Sequence, residues 1–98
     1  MDLANVEGFE WDEGNRRKSF EKHGVSQAEA EQVLFNNPLL SNDIRHSPDE
    51  SRLHAFGETD AGRLLHVTFT LRANEKLIRV ISARAMNRKE RAVYGEEA

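Results

Sequence analysis

The stretch RLLHVTFTLR, residues 63–72, alternates apolar and polar side chains along its length. The two sets occupy odd and even positions: Leu65, Val67, Phe69 and Leu71 against His66, Thr68, Thr70 and Arg72. Successive side chains of a β-strand point to opposite faces of a sheet. The pattern therefore predicts a strand with one face against an apolar core and the other face polar, and it makes a sheet the centre of the fold.

Other stretches around it have strand character and are separated by turns. LLSND (39–43), RLHAFGE (52–58) and LIRVISARA (77–85) are rich in apolar or β-branched residues. The turns are predicted at TDAG (59–62) and ANEK (73–76), and IRHSPDES (44–51) is predicted to be a polar loop that contains His46. This succession predicts three or four antiparallel strands in chain order.

Helices are predicted on both sides of the strand region in sequence. FEWDEGNRRKSFEKHGVS (9–26) has Asp12 as a possible cap and Gly24 as a stop, and SQAEAEQVLFNNP (26–38) begins with an S-x-x-E capping box. NRKERAVYGEE (87–97) is predicted to be a short basic helix capped by Asn87. The fold class is therefore α+β: two N-terminal helices, a three- to four-stranded antiparallel sheet and a C-terminal helix, with the helices on one face of the sheet and the other face half-polar.

Length and composition restrict the class of protein. Ninety-eight residues suit one domain, so residues 1–98 are predicted to form a single unit. There is no apolar run of roughly 18 to 20 residues, and MDLANVEGFEWDEG lacks the basic and apolar regions of a signal peptide, so the expected location is the cytoplasm. The absence of cysteine excludes disulfides, thiol nucleophiles and thiolate metal sites.

Charge is distributed unevenly along the chain. The net charge is −3, but residues 1–62 hold six Lys/Arg against thirteen Asp/Glu, whereas residues 63–91 hold eight against two. Screening limits the reach of a charge to roughly 8 to 10 Å at physiological salt. The basic segment can therefore attract phosphate although the whole chain is acidic.

Several polar side chains of the predicted strands share the face that is not used by the core. If the strands are neighbours in register, Arg52, His54, His66 and Arg79 converge on one sheet surface. Cleavage of RNA by its own 2′-hydroxyl needs a proton acceptor, a proton donor and cations that stabilise charge on the phosphate, which histidine and arginine supply. The alternative is that these residues are ordinary solvated side chains of an open sheet face.

The other candidate motifs also have two interpretations. Arg84, Arg88 and Arg91 could contact phosphates with Tyr94 stacking on a base, or the run could be the solvated face of a terminal helix. The four histidines match no zinc or HExxH spacing, so neither a metal nor another cofactor is expected. Trp11 is predicted to anchor the core.

Three stretches together resemble the BrnT toxin family of bacterial type II toxin–antitoxin systems. They are FEWDEGNRRKSFEKHGVSQAEAEQVLFNNP, RLHAFGETDAGRLLHVTFTLR and IRVISARAMNRKERAVY. The resemblance implies a fold similar to RelE-type toxins and metal-independent RNA cleavage that blocks translation and growth. It also implies neutralisation by a BrnA-type ribbon-helix-helix antitoxin, in a heterotetramer that binds promoter DNA through the antitoxin.

The resemblance and the strand pattern together give a predicted site. The catalytic set is Lys22, His23, Arg52, Arg79 and Arg84. The predicted RNA-binding set is Arg63, His54, His66, Arg88, Arg91 and Tyr94. Arginine cannot accept a proton near neutral pH, so the base would be His23, His54, His66 or a carboxylate such as Glu21. The competing hypothesis is a non-enzymatic module that binds a DNA-binding partner protein and acts in transcriptional autoregulation.

Overall fold

The computed structural model describes residues 6–11, 13–43, 52–74 and 76–97. The elements in chain order are β1 (Gly8–Glu10), α1 (Glu13–His23), α2 (Gln27–Phe35), β2 (Leu39–Asp43), β3 (Arg52–Glu58), β4 (Leu64–Arg72), β5 (Leu77–Ala85) and α3 (Arg88–Glu97). The predicted α+β class is confirmed. The strands β2, β3 and β5 have the limits that the sequence predicted, and β4 begins one residue later.

The sheet has five strands in the described residues and is mixed, so the prediction of three or four antiparallel strands was wrong in this detail. Its order is β1-β5-β4-β3-β2. The strands β2 to β5 form an antiparallel meander, and β1 pairs parallel to β5 with Gly8 opposite Leu77. A three-residue strand is too short to show periodicity, and its partner lies almost seventy residues further along the chain.

The two N-terminal helices form the hairpin that the sequence predicted. Ser26 accepts a hydrogen bond from the amide of Glu29, whose carboxylate accepts one from the amide of Ser26, which completes the capping box. Gly24 has a φ of 65°, in the left-handed region that glycine adopts without steric cost. The predicted cap at Asp12 lies outside the described residues.

The core lies between this hairpin and the apolar face of the sheet. The α2 residues Ala30 and Val33 are fully buried, as are Leu65, Val67 and Phe69 of β4. Phe9, Trp11 and Leu71 are partly buried against the same cluster. The predicted alternation of β4 and the anchoring role of Trp11 are therefore confirmed.

The C-terminal helix does not join the other two, which corrects the prediction that the helices share one face. Val93 and Tyr94 of α3 line a pocket with Leu39 and Phe56, a cross-strand pair on the face opposite the core. Leu39 and Phe56 thus form an apolar patch on an otherwise polar face, and α3 docks on this patch.

Substitution of two phenylalanines, Phe69 and Phe35, tests the location of the core. Phe69 is fully buried and Phe35 is 73% exposed. We expect Phe69→Leu to lower the free energy of unfolding by roughly 1 to 2 kcal/mol, because it leaves a cavity, and the matched Phe35→Leu to change it by less than about 0.5 kcal/mol. Urea denaturation measures both values, and equal losses would contradict this assignment of the core.

Candidate active site

The face of the sheet opposite the α1–α2 hairpin carries two rows of polar and aromatic side chains across the strands. In one row, Phe56 of β3 lies opposite His66 of β4, which lies opposite Arg84 of β5. In the adjacent row, the same strands place His54 opposite Thr68, and Thr68 opposite Ser82. This arrangement brings His54, His66 and Arg84 together.

A β-bulge in β5 is what allows Arg79 and Arg84 to share this face. Thr68 pairs with Ser82, but its neighbour Phe69 pairs with Val80, so Ile81 is an extra residue on β5. Strict alternation would put Arg84 on the same side as the buried Val80. The extra residue reverses the phase, so that Arg84 points to the polar face.

The two imidazoles of the site are in direct contact. Nδ1 of His54 lies 2.8 Å from Nε2 of His66, so one of the two rings donates a hydrogen bond and the other accepts it. The hydroxyl of Thr68 lies 3.1 Å from the same His54 nitrogen. On its other side, His66 stacks on Phe56 with ring centroids 4.4 Å apart. His66 is thus fixed in position by neighbours from two strands.

Helix α3 contributes a carboxylate to the same cluster. Arg84 donates from Nη1 to Oε1 of Glu90 at 2.8 Å and from Nη2 to Oε2 at 2.9 Å. Glu90 also accepts from the amide of Asn87, while Asn87 Oδ1 accepts from the amide of Glu90. The two residues form a capping box, so the predicted cap at Asn87 is confirmed. One carboxylate both starts α3 and ties it to β5.

The protonation states follow from burial and from these contacts. Burial and, after it, the positive charge of Arg84 lower the pKa of His66 to about 4. The hydrogen bond from Arg84 lowers the pKa of Glu90 to about 2. At neutral pH, His66 is therefore uncharged and Glu90 is ionised. Because Nδ1 of His66 lies 3.3 Å from Oε2 of Glu90, the favoured tautomer carries its proton on Nδ1.

Two further arginines lie along the same face. The register that pairs Leu53 with Phe69 puts Arg52 level with Thr70, which is opposite Arg79. Arg79 is also 3.5 Å from the carboxylate of Glu10 on β1. Arg52 and Arg79 thus form a cationic row next to the row of His54.

Comparison with known proteins decides the family. The family model described as ribonuclease toxin, BrnT, of type II toxin–antitoxin system matches residues 11–90. The chain belongs to the BrnT family of ribonuclease toxins.

A solved structure agrees with this assignment. The fold is similar to the crystal structure of the Brucella abortus ribonuclease toxin BrnT, with a TM-score of 0.63 and 26% identity over 85% of this chain and 100% of that chain. No curated protein sequence matches the chain significantly. The type II family includes a protein antitoxin as the partner of the toxin.

Three of the predicted BrnT site residues lie elsewhere. Arg63 donates to the carbonyl of Gly24 at 2.8 Å and pairs with Glu29 at 3.1 Å, so it binds the α1–α2 hairpin on the opposite side of the sheet. Lys22 and His23 end α1 in that same hairpin. The structure therefore does not bring them to the histidine cluster, and their roles stay predictions that rest on the resemblance.

The remaining predicted RNA-binding residues belong to α3. Arg88 is exposed at its first turn, and Arg91 donates to the carbonyl of Met86 at 2.7 Å. Tyr94 lines the pocket against Phe56, and burial raises its pKa. All three lie on the side of the sheet where His66 is found.

Sequence reasoning missed two residues of the site. Glu90 was not predicted as a site residue, but its side chain is only 18% exposed and faces the cluster. The N-x-x-E spacing from Asn87 was the feature that could have found it, because a capping-box carboxylate turns back toward the start of its helix. The second missed residue is Phe56, which lies two positions after His54 in β3 and therefore points to the same polar face.

Two kinds of feature are absent from the described residues. Within residues 6–11, 13–43, 52–74 and 76–97, no group of three or more acidic or histidine side chains is arranged to hold a metal ion. In the same part of the chain, no helix has the length and hydropathy that a membrane span requires. His46 lies outside the described residues.

The lowered pKa of His66 predicts how stability depends on pH. The unfolded chain binds a proton at this histidine below about pH 6.5, but the folded chain does so only near pH 4. The free energy of unfolding should therefore fall by on the order of 2 kcal/mol between pH 7 and pH 4.5. Urea denaturation of wild type and His66→Gln across this interval measures the effect. A wild-type slope that persists unchanged in the variant would contradict it.

Proposed function

We propose that the chain is an endoribonuclease that cleaves RNA without a metal ion, by attack of the RNA's own 2′-hydroxyl, at the cluster of His54, His66 and Arg84. The observation that supports this most directly is the 2.8 Å contact between two imidazoles, one of which lies opposite an arginine, on a face that the α1–α2 hairpin does not cover. General acid–base catalysis needs such a pair of groups next to a cation.

The histidine pair performs the proton transfers in this mechanism. The 2′-oxygen forms a bond to phosphorus, and its proton passes to an imidazole nitrogen. The bond between phosphorus and the 5′-oxygen breaks, and that oxygen receives a proton from the other ring, which enters the step as an imidazolium and leaves it as a neutral imidazole. The products are a 2′,3′-cyclic phosphate and a free 5′-hydroxyl. His66 is the better acceptor of the first proton because its lowered pKa keeps it uncharged at neutral pH.

Arginine side chains stabilise the charge that develops on the phosphate. Arg84 lies opposite His66 on β5, and its side chain is 36% exposed while it is paired with Glu90. Arg52 and Arg79 extend the cationic face along the next row of side chains, where we expect the RNA backbone to lie. A phosphate bound beside His66 brings a negative charge close to the imidazole, which raises the pKa of His66 toward neutrality and improves it as a base.

Cleavage of RNA in the presence of EDTA tests the reaction and its site. We expect wild type to cleave RNA although EDTA is present, because no metal takes part in the proposed reaction. The fragments should carry 2′,3′-cyclic phosphate ends, because the 2′-oxygen is the nucleophile. His66→Gln and Arg84→Gln should each reduce the initial rate by about 100-fold or more. The matched control is Arg17→Gln, since Arg17 is exposed on α1 and pairs only with Glu13 in the contacts that the structure describes.

The same assay separates the enzyme from a non-enzymatic binding module. An RNA that carries 2′-deoxyribose at the cleavage position should stay intact, because the nucleophile is absent. RNA that stays intact at stoichiometric protein, or cleavage that His66→Gln leaves unchanged, would contradict the mechanism. The first of these outcomes would favour a module that acts in transcription through its partner.

The biological setting that we propose follows the family. Cleavage would occur in the cytoplasm, block translation and arrest growth. A BrnA-type ribbon-helix-helix antitoxin would neutralise the toxin in a heterotetramer that binds promoter DNA through the antitoxin. The type II family supports a protein antitoxin as partner.

Co-expression with a BrnA-type ribbon-helix-helix protein encoded beside this chain tests this partner. We expect a complex whose mass by light scattering equals two toxins and two antitoxins, and which does not cleave RNA, because the antitoxin covers the catalytic face. A complex that cleaves RNA as fast as the free toxin would contradict occlusion of the site.

A further inference from the structure

The pocket between α3 and the strands β2 and β3 opens next to the catalytic cluster. Its volume is about 240 Å³, and it is lined by Leu39, Phe56, Lys89, Glu90, Val93 and Tyr94. Pockets that hold drug-sized ligands measure roughly 300 to 1,000 Å³, so this one suits a smaller, single-ring or two-ring group. Its walls are apolar and aromatic.

The cavity shares two residues with the surroundings of the catalytic cluster. Phe56 lines the cavity and also stacks on His66, with 4.4 Å between ring centroids. Glu90 lines the cavity and is bonded to Arg84. A group that enters the cavity is therefore separated from the reacting imidazole by a single ring.

We infer that this cavity is a subsite for the nucleobase next to the cleaved phosphate of RNA. A base is planar, stacks on aromatic rings, and carries polar edges that require hydrogen-bond partners. Phe56 and Tyr94 supply aromatic surface for the face of the base, and the flexible Lys89 supplies a donor for its edge. The inference rests on the proposed function, because RNA must already lie along this face.

The position of the cavity favours a base over an apolar side chain of a partner protein. The cavity and the imidazole of His66 share Phe56, so a nucleotide whose phosphate lies at His66 brings its base within reach of the cavity. The phosphate attached to that base would then lie toward Arg84 and His66. The identity of the base should therefore affect cleavage through contacts that the catalytic residues do not make.

Binding of an uncleavable nucleic acid tests this subsite without relying on catalysis. The probes are 2′-deoxy trinucleotides with each of the four bases, or an abasic sugar, at the central position. We expect wild type to bind the best base at least about tenfold more tightly than the abasic probe, because stacking of one base is lost in the latter. In methyl-labelled protein, the Val93 resonances should shift with the first probe only.

A pair of variants on α3 supplies the matched control. Val93→Phe adds a ring inside the cavity, and Ala92→Phe adds the same ring to an exposed neighbouring position that does not line it. Val93→Phe should abolish the preference for the base-containing probe, whereas Ala92→Phe should keep it. Circular dichroism monitors folding, and the wild-type comparison stands even if Val93→Phe does not fold.

The outcomes separate this inference from the proposed function. Equal affinity of wild type for the base-containing and abasic probes overturns the subsite, even if RNA cleavage depends on His66. Shifts of the Val93 resonances that appear only when an antitoxin is added overturn it as well. Base-dependent binding at Val93 without any RNA cleavage supports the subsite and contradicts the nuclease.

Discussion

The ion pair between Arg84 and Glu90 fastens α3 to the polar face of the sheet. Exposed ion pairs contribute roughly 0 to 1 kcal/mol, but this one is bidentate and partly buried, and its carboxylate also caps the helix. Burial is the main cause of the lowered pKa of His66, and the pair adds to it in two ways: Arg84 lowers the pKa further, whereas Glu90, which faces Nδ1, raises it. The environment of the catalytic His66, the position of α3 and the adjacent cavity all depend on this one contact.

The backbone makes the pair possible through one extra residue. If Ile81 were paired as an ordinary residue of β5, the residues after it would change faces, and Arg84 would lie on the core side with Val80. The bulge instead presents Arg79 and Arg84 on the same side, opposite two histidines whose own spacing follows simple alternation. A bulge beside a functional site is a common way to redirect a side chain without changing the strand order.

The sequence was sufficient for the features that follow local rules. Alternation in β4 placed His66 opposite the core, and the Ser26–Glu29 capping box located α2. It was insufficient where a distant contact decides the outcome. The pairing of β1 with β5 joins residues far apart in the chain, and the docking of α3 depends on Leu39 and Phe56 meeting across two strands. The ion pair of Arg63 with Glu29 could not be predicted either, because the charge of an arginine fits a phosphate as readily as a carboxylate.

The most direct test of the account is a crystal structure of the chain with an RNA whose cleavage position carries 2′-deoxyribose. The account predicts that the phosphate at that position lies within hydrogen-bonding distance of the guanidinium of Arg84 and of the imidazole of His66. A phosphate bound instead at Arg63 and the end of α1, on the opposite side of the sheet, would contradict it.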